Sequence, residues 1–181
     1  MLSHQVCRDF INKTIDYIHS SSEALISFDV NYRDDIFSSP DEAKNVLLSI
    51  INQVDVIKFT EEELALLSGQ NDIAFGLKQL LNPHQIAVVT LGKEGSIFYY
   101  NSKIIKVPSF PLKPVDTTGA GDAFYSYFLA SLVNEPDFIN DDERIKHYLL
   151  RANVTGGLTT LKKGAINSAP TEKEIDNFLS K

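Results

Sequence analysis

This 181-residue chain has a single cysteine, no cluster of histidines and fewer positive than negative charges. Cys7 is the only cysteine, so an internal disulfide is excluded. The four histidines are scattered, without the spacing of a metal site. The 17 Lys and Arg residues are outnumbered by 24 Asp and Glu, which gives a net charge of -7. This balance disfavours a nucleic-acid partner, whose phosphates require clustered basic side chains, but it still allows a small phosphate ligand at a local site.

Long apolar runs and a leader-like beginning are also missing. No apolar run has the ~20 residues that a membrane-spanning helix needs. The first turns of the chain carry Arg8, Asp9, Lys13 and Asp16, which is unlike a signal peptide. We therefore expect a cytoplasmic protein without a membrane partner. With 43% hydrophobic residues, the chain is long enough for a core of its own, and residues 1–181 are predicted to form a single domain.

Apolar patterns with the spacing of strands and of helices alternate along the chain. The clearest strand is the apolar run 86–92, and a hairpin with its turn at Asn101-Ser102 follows it. This alternation predicts an α/β fold, with three layers (αβα), a mostly parallel sheet and ligands at the carboxyl ends of the strands. The other predicted strands cover 24–30 and 54–59, and helices are predicted over 2–20, from Ser39-Pro40 onward, over 60–69, 71–81, 142–161 and 171–179, and after Gly119-Ala120-Gly121.

The stretch "DTTGAGD", Asp116 to Asp122, places small residues directly before a helical pattern. A helix N-terminus has free N–H groups and a partial positive charge, and glycines let the backbone approach an anion closely. The Asp122 carboxylate would repel a bound phosphate, but it could take a proton from an attacking alcohol. A base beside an anion hole is the arrangement of a phosphotransferase. The alternative is that the glycines only make a turn and that Asp122 only stabilises the helix dipole.

The wider pattern resembles the ribokinase-like carbohydrate kinases, the PfkB family. "DTTGAGDAF" resembles the C-terminal signature of that family, and "DVNYR", "VDVIKFTEEELALLSG", "VVTLGKEGS" and "LTTLKKGA" resemble its other segments in the same order. The likeness runs from about Ala24 to the end of the chain. Among the members, fructokinases are the most similar and 2-keto-3-deoxygluconate kinases the next. The resemblance implies an ATP-dependent kinase that transfers the γ-phosphoryl group of ATP to a sugar hydroxyl.

The resemblance also implies roles for individual residues. Asp122 matches the catalytic base, and the backbone of Gly119, Ala120 and Gly121 matches the anion hole. Thr90, Gly92 and Gly95 match the loop that holds the ATP phosphates. For these glycines, a plain turn between a strand and a hairpin is the alternative.

Two further segments match active-site positions of the family. Glu63 matches the acidic end of a motif that positions Mg²⁺ through water. Thr60 stands where that motif has Asn, and a capping box is the alternative role of this pair. Asp29, Asn31 and Arg33 match a substrate and phosphate loop, in which a guanidinium suits anionic oxygens. The alternative for Arg33 is a surface ion pair with Asp34 or Asp35.

The last part of the chain matches two more sites of the family. Small residues on one helix face leave room for adenine, but they also permit tight helix packing. These residues are Asn153, Gly156 and Gly157. Asp116, Thr118, Thr159, Lys162, Gly164 and Ser168 match positions that bind a monovalent cation, usually K⁺.

Family members are longer and begin with sheet strands and a lid that bear much of the sugar site, and these are absent here. We therefore expect an exposed apolar sheet edge, over which the chain self-associates or docks another chain. A truncated, inactive nucleotide-binding remnant is the alternative to a working kinase.

Overall fold

The computed structural model of the protein describes residues 2–180, which form helices and strands in alternation. The helices are α1 (Gln5–Ser21), α2 (Pro40–Ile51), α3 (Glu61–Ser68), α4 (Ile73–Leu80), α5 (Ala120–Asn134), α6 (Asp142–Thr159) and α7 (Glu172–Leu179). The strands are β1 (Ser27–Asp29), β2 (Val56–Thr60), β3 (Ile86–Thr90), β4 (Ser96–Tyr100) and β5 (Lys103–Val107). Three short 3₁₀ helices, Gly92–Glu94, Pro136–Asn140 and Ile166–Ser168, complete the described elements.

The five strands form one sheet in the order β1-β2-β3-β4-β5. β1 and β2 pair in parallel, with Phe28 opposite Ile57 and Asp29 opposite Lys58. β4 and β5 are joined by the two-residue turn Asn101-Ser102, and both turn residues have positive φ, 49° and 61°, as a tight hairpin requires. The predicted α/β class with a mixed, mostly parallel sheet is confirmed.

Local sequence signals set the helix ends where they were expected. The Ser39 hydroxyl accepts the N–H of Glu42 at 3.1 Å, and Pro40 is the first residue of α2. Thr60 and Glu63 form a complete capping box at the start of α3, and Gly69 ends that helix in the left-handed conformation. The predicted strand 24–30 is shorter than expected, because only Ser27–Asp29 pair with β2.

The contacts within the chain divide it into two compact units. The first contains the residues up to Val89 and Tyr99–Ser102. Its core is built from apolar faces of α2, α3 and α4 and from the fully buried side chains of β2 and β3. The largest of these buried side chains are Leu47, Ile51, Ile57, Phe59, Leu64, Leu67 and Leu77.

The second unit contains Thr90–Phe98 and the residues from Lys103 onward. Its core has a chain of aromatic contacts: the ring of Phe128 lies 6.2 Å from that of Phe98 and 6.0 Å from that of Phe138, which lies 4.7 Å from that of Tyr148. Arg151 of α6 docks α7, since its guanidinium donates to Asp176 at 2.8 Å and also pairs with Glu172.

That residues 1–181 form a single domain stays a prediction.

Membrane-spanning helices are not found among residues 2–180, because no helix there is both long and apolar enough.

Gly95 is the residue on which the entry to the hairpin depends. Its φ is +106°, and an added Cβ would lie 2.0 Å from the carbonyl oxygen of Val107. Gly92 also has positive φ, +56°, but nothing lies within 4 Å of its Cβ position. A side chain at either glycine would strain the backbone, but only a side chain at Gly95 would also overlap with other atoms. Substitutions at the two positions therefore distinguish the cost of strain from the cost of overlap.

We predict that Gly95→Ala lowers the free energy of unfolding by at least about 2 kcal/mol, because strain and overlap both act. Gly92→Ala, the matched control, should cost about 1 kcal/mol, because only the left-handed conformation is penalised. Urea unfolding followed by circular dichroism measures both. Equal losses in the two variants would contradict the prediction.

Candidate active site

The turn before α5 presents Asp122 at the surface. Gly119 is the N-cap of α5 with φ 79°, and Asp122 lies in the first helical turn with an exposed side chain. The turn closes when Ala120 N–H donates to the Thr117 carbonyl at 3.2 Å, and Ala123 N–H donates to the Gly119 carbonyl at 2.9 Å. Position 119 favours glycine, because an added Cβ would lie 2.5 Å from the Cβ of Ala165.

The N–H groups of this turn differ in whether they have a hydrogen-bond acceptor among residues 2–180. The Ala120 N–H, which the sequence placed in the anion hole, is already donated to Thr117. Among the described residues, the N–H groups of Gly121 and Asp122 have no acceptor. Two adjacent unused donors at a helix N-terminus, beside an exposed carboxylate, can hold an anion and accept a proton at one place.

Asp116 fixes the chain just before this turn. Its Oδ1 accepts the N–H of Thr118 and its Oδ2 accepts the N–H of Gly164, both at 3.0 Å. The hydrogen bond from Gly164 is the main cause, with those from Thr118, that lowers the pKa of the Asp116 carboxyl to about 2. The Asp116 and Val115 N–H groups donate to the Thr160 carbonyl, at 3.1 and 2.8 Å. Asp116 therefore links the turn to the loop that follows α6.

The residues matched to a monovalent cation lie around this link. Thr118 and Gly164 contact Asp116 through their N–H groups, as described above. The Ser168 hydroxyl donates to the Lys163 carbonyl at 3.2 Å, and the Thr159 hydroxyl donates to the Thr155 carbonyl at 2.9 Å. Lys162 lies 3.7 Å from Glu174, so its side chain is engaged elsewhere. The oxygens offered here are hard donors, the type that alkali and alkaline-earth cations prefer.

The residues matched to the ATP phosphates form the loop between β3 and β4. Thr90 ends β3, and the Leu91 N–H donates to the Gly95 carbonyl at 2.8 Å, which closes the loop. Gly92 and Gly95 both have positive φ, so the turn itself requires them. Their role towards phosphate stays a prediction.

The residues matched to adenine serve packing in this structure. The Asn153 amide donates to the carbonyls of Val107 and Pro108 at 3.2 and 3.4 Å, which ties α6 to the end of β5. A Cβ on Gly156 would lie 2.9 Å from the Ala120 carbonyl oxygen, and one on Gly157 would lie 2.9 Å from Leu112 Cδ1. The packing alternative therefore has direct support, and the adenine pocket stays a prediction.

The loop after β1 contains the substrate residues that were predicted in the first unit. Asp29 ends β1 and forms an ion pair with Lys58 of β2, with Nζ 2.8 and 2.9 Å from the two carboxylate oxygens. Asn31 has φ 40° and is exposed. Arg33 is exposed as well, and no carboxylate of residues 2–180 lies within ion-pair distance of it. The expected alternative, a pair with Asp34 or Asp35, is therefore not present.

Glu63 lies between the ends of β1 and β2 and is buried. Its Oε2 accepts the N–H of Thr60 at 2.7 Å, and its Oε1 accepts the N–H of Tyr32 at 2.8 Å. The first contact belongs to the capping box. The second was not expected from the sequence, because it joins residues that are 31 positions apart.

Lys58 forms the ion pair with Asp29 but was not among the site residues predicted from the sequence. It is a charged residue inside a strand that is otherwise buried, and its side chain is only 7% exposed. That placement was a usable signal, because lysine is almost never fully buried unless it is paired.

Across the described part of the chain, no group of three or more His, Cys, Asp or Glu side chains is arranged to hold a metal ion. A divalent cation here would depend on the oxygens of a bound substrate and on water, as Mg²⁺ commonly does.

Comparison with known proteins gives a consistent set of matches. The sequence profile described as pfkB family carbohydrate kinase matches residues 1–172. Fructokinase-1 of Zea mays is 38% identical over 166 residues, which are 91% of this chain and 51% of that protein. The fructokinase of Vibrio cholerae O395, in a form with fructose, ADP and calcium ion, superposes with a TM-score of 0.87 at 32% identity, over 98% of this chain and 57% of that chain. Its double mutant, with fructose, ADP and potassium ion, matches with the same TM-score.

The chain thus spans about half the length of the maize relative that it matches.

We predict that Asp116→Asn removes a pH-dependent part of the stability. The folded-state pKa of Asp116, about 2, lies below its ordinary value of 3.8, so the ionised carboxylate stabilises the fold above pH 3.8 and this contribution is lost as the pH falls towards 2. The difference in unfolding free energy between wild type and variant should be constant near neutral pH. It should decrease as the pH falls from 3.8 towards 2. Asp137→Asn, a change at an exposed residue, is the control. A difference that does not vary with pH would contradict the prediction.

Proposed function

Because the chain belongs to the pfkB family of carbohydrate kinases, we propose that it carries the catalytic and nucleotide-binding part of an ATP-dependent fructokinase. The fructokinase similarity and the fructose and ADP in the Vibrio structure support this choice of substrates. A 2-keto-3-deoxygluconate kinase is the nearest variant of the same chemistry. The proposed setting is cytoplasmic, with no nucleic-acid or membrane partner.

One observation carries the proposal: the exposed Asp122 carboxylate stands in the same helical turn as the unused N–H groups of Gly121 and Asp122. Phosphoryl transfer to an alcohol needs these two elements, a base for the hydroxyl proton and fixed donors for the charge of the transferred group. In the proposed reaction, the Asp122 carboxylate accepts the proton of the sugar hydroxyl as that oxygen attacks the γ-phosphorus. The bond between the γ-phosphorus and the bridging oxygen of ATP breaks, and ADP leaves with that oxygen. The N–H groups donate to the oxygens of the transferred phosphoryl group.

The other predicted residues have supporting roles in the proposal. Thr90, Gly92 and Gly95 hold the ATP phosphates, and Asn153, Gly156 and Gly157 border the adenine. Arg33 contacts the phosphate in this proposal, and its guanidinium is available because it has no ion-pair partner among residues 2–180. Asp29 and Asn31 shape the same loop.

The proposed ions are Mg²⁺ and K⁺. Mg²⁺ would neutralise the charge of the ATP phosphates when bound, and Glu63 would hold it through water. K⁺ would be held by oxygen atoms of the residues matched to a monovalent cation, which are Asp116, Thr118, Thr159, Lys162, Gly164 and Ser168. In this site, the carboxylate oxygens of Asp116 keep further lone pairs beyond the two N–H groups that they accept.

We predict that Asp122→Asn lowers fructose-dependent ADP formation by about 100- to 10,000-fold, because the base is lost. ATP binding should be unchanged, since the N–H groups remain. Turnover is measured by a coupled ADP assay and binding by calorimetry, with Asp137→Asn as the control. Near-normal turnover of Asp122→Asn would contradict the catalytic assignment.

A nucleotide-binding remnant without catalysis is the second candidate function. The same assay decides between the two, because ATP binding without any fructose-dependent ADP from the wild-type chain supports the remnant.

Self-association is the proposed use of the side of β1 that pairs with no strand of residues 2–180, since β1 is the first strand in the sheet order. An apolar cavity of about 220 Å³ adjoins it, lined by residues of α1, β1 and α2 that include Ile11, Ile15, Phe28 and Ile50. Phe10 lines this cavity too, yet it is 70% exposed. A second copy of the chain fits this surface, because an edge strand can pair with its own symmetry mate in a closed two-fold dimer.

We predict that the wild-type chain is a dimer at micromolar concentration and that Phe10→Asp weakens dimerisation at least about tenfold, by placing a charge in an apolar contact. Phe75→Asp is the control, because Phe75 is an exposed phenylalanine on α4. Light scattering after gel filtration measures the mass. A wild-type monomer at high concentration, or equal effects of the two variants, would contradict this prediction.

A further inference from the structure

The loop that carries Arg33 is held to the neighbouring strand by one buried carboxylate. Glu63 is only 8% exposed. It accepts the Tyr32 N–H from the loop after β1 and the Thr60 N–H from the end of β2. Tyr32 directly precedes Arg33 in the chain, so this hydrogen bond acts one residue away from the guanidinium-bearing position.

A second charged contact holds the beginning of the same loop. Asp29 and Lys58 are opposite each other in the parallel pair β1 and β2, and their side chains form a partly buried ion pair. The Val30 N–H then donates to the Lys58 carbonyl at 3.2 Å. A backbone hydrogen bond to β2 is thus still present one residue beyond the end of β1, at Val30, and the hydrogen bond from Tyr32 to Glu63 follows two residues later.

Between these two contacts the backbone needs support. Asn31 has φ 40°, a conformation that non-glycine residues adopt at a cost. Residues 31–33 belong to no helix or strand. The Tyr32 ring stacks on Phe37, with centroids 6.4 Å apart, and this contact orders the far side of the loop. Within the described part of the chain, Arg33 itself has no ion pair that would orient it.

We propose that Glu63 is a positioning residue for Arg33: it holds the loop after β1 in the conformation that presents the guanidinium to a phosphate group. This inference rests on the proposed phosphate contact of Arg33. It differs from a role of Glu63 towards Mg²⁺, because it acts through the hydrogen bond from the Tyr32 N–H.

Glu63→Gln is the sharpest substitution for a test. It keeps the size of the side chain, but one of its two terminal atoms becomes an NH₂ donor that faces an N–H group and cannot accept from it. Glu62→Gln is the matched control, because it makes the same change on an exposed residue in the same first turn of α3.

Amide hydrogen exchange of Tyr32, followed by NMR, tests the hold on the loop. In the wild type, the Tyr32 amide should exchange at least about tenfold more slowly than that of Arg33. Glu63→Gln should remove this protection selectively, while the core amides of Ile57 and Phe59 and the Glu62→Gln control keep theirs. An unprotected Tyr32 in the wild type, unchanged protection in Glu63→Gln, or equal acceleration at all amides would overturn the proposal. The wild-type measurement decides even if Glu63→Gln does not fold.

A titration with inorganic phosphate, followed at the Nε–Hε resonance of Arg33, tests whether Glu63 positions Arg33 to bind phosphate. The resonance should shift to saturation in the wild type and in Glu62→Gln, with at least about fivefold weaker binding in Glu63→Gln. No shift in the wild type, or equal affinity in Glu63→Gln, would overturn the positioning role. Neither measurement needs turnover, so failure here is separate from failure of the kinase assignment, which Asp122→Asn tests.

Discussion

The hydrogen bonds accepted by the Asp116 carboxylate are the constraint on which the candidate active site depends. Two backbone segments, the turn before α5 and the loop after α6, are held by the same two oxygens. The turn cannot hold two N–H groups in a fixed direction unless its own backbone is fixed first. A single ionised side chain does this more directly than apolar packing could, because it specifies the partner atoms as well as the distance.

The same device recurs at the end of β1 and β2. Glu63 also accepts one N–H from its own segment and one from a distant segment. In both cases a carboxylate replaces the ladder hydrogen bonds that stop where the strands or helices end. Loops that carry function need such substitutes, because a loop has no regular pattern to satisfy its backbone. These two carboxylates accept hydrogen bonds from backbone N–H groups rather than from basic side chains.

The sequence predicted the elements well and the cross-chain contacts poorly. Helix ends with a local signal, such as Ser39-Pro40, the Thr60 capping box and Gly69, were found because cause and effect lie within four residues. The bond between Glu63 and Tyr32 was missed because a side chain that reaches a backbone N–H 31 residues away leaves no local pattern. Strand β1 was overestimated for a related reason: its apolar run continues beyond the residues that have a pairing partner.

Glycines near the candidate site show why packing and function were hard to separate in the sequence. Gly156 lets α6 approach the Ala120 carbonyl, and Gly119 lets the turn approach Ala165. Both contacts hold the first turn of α5, and that turn directs the N–H groups of Gly121 and Asp122. A side chain at either glycine would push the turn away and misdirect those donors. Close packing at these glycines is therefore compatible with an anion hole, which stays a prediction: the helix contacts fix the turn, and an anion hole requires donors held in a fixed direction.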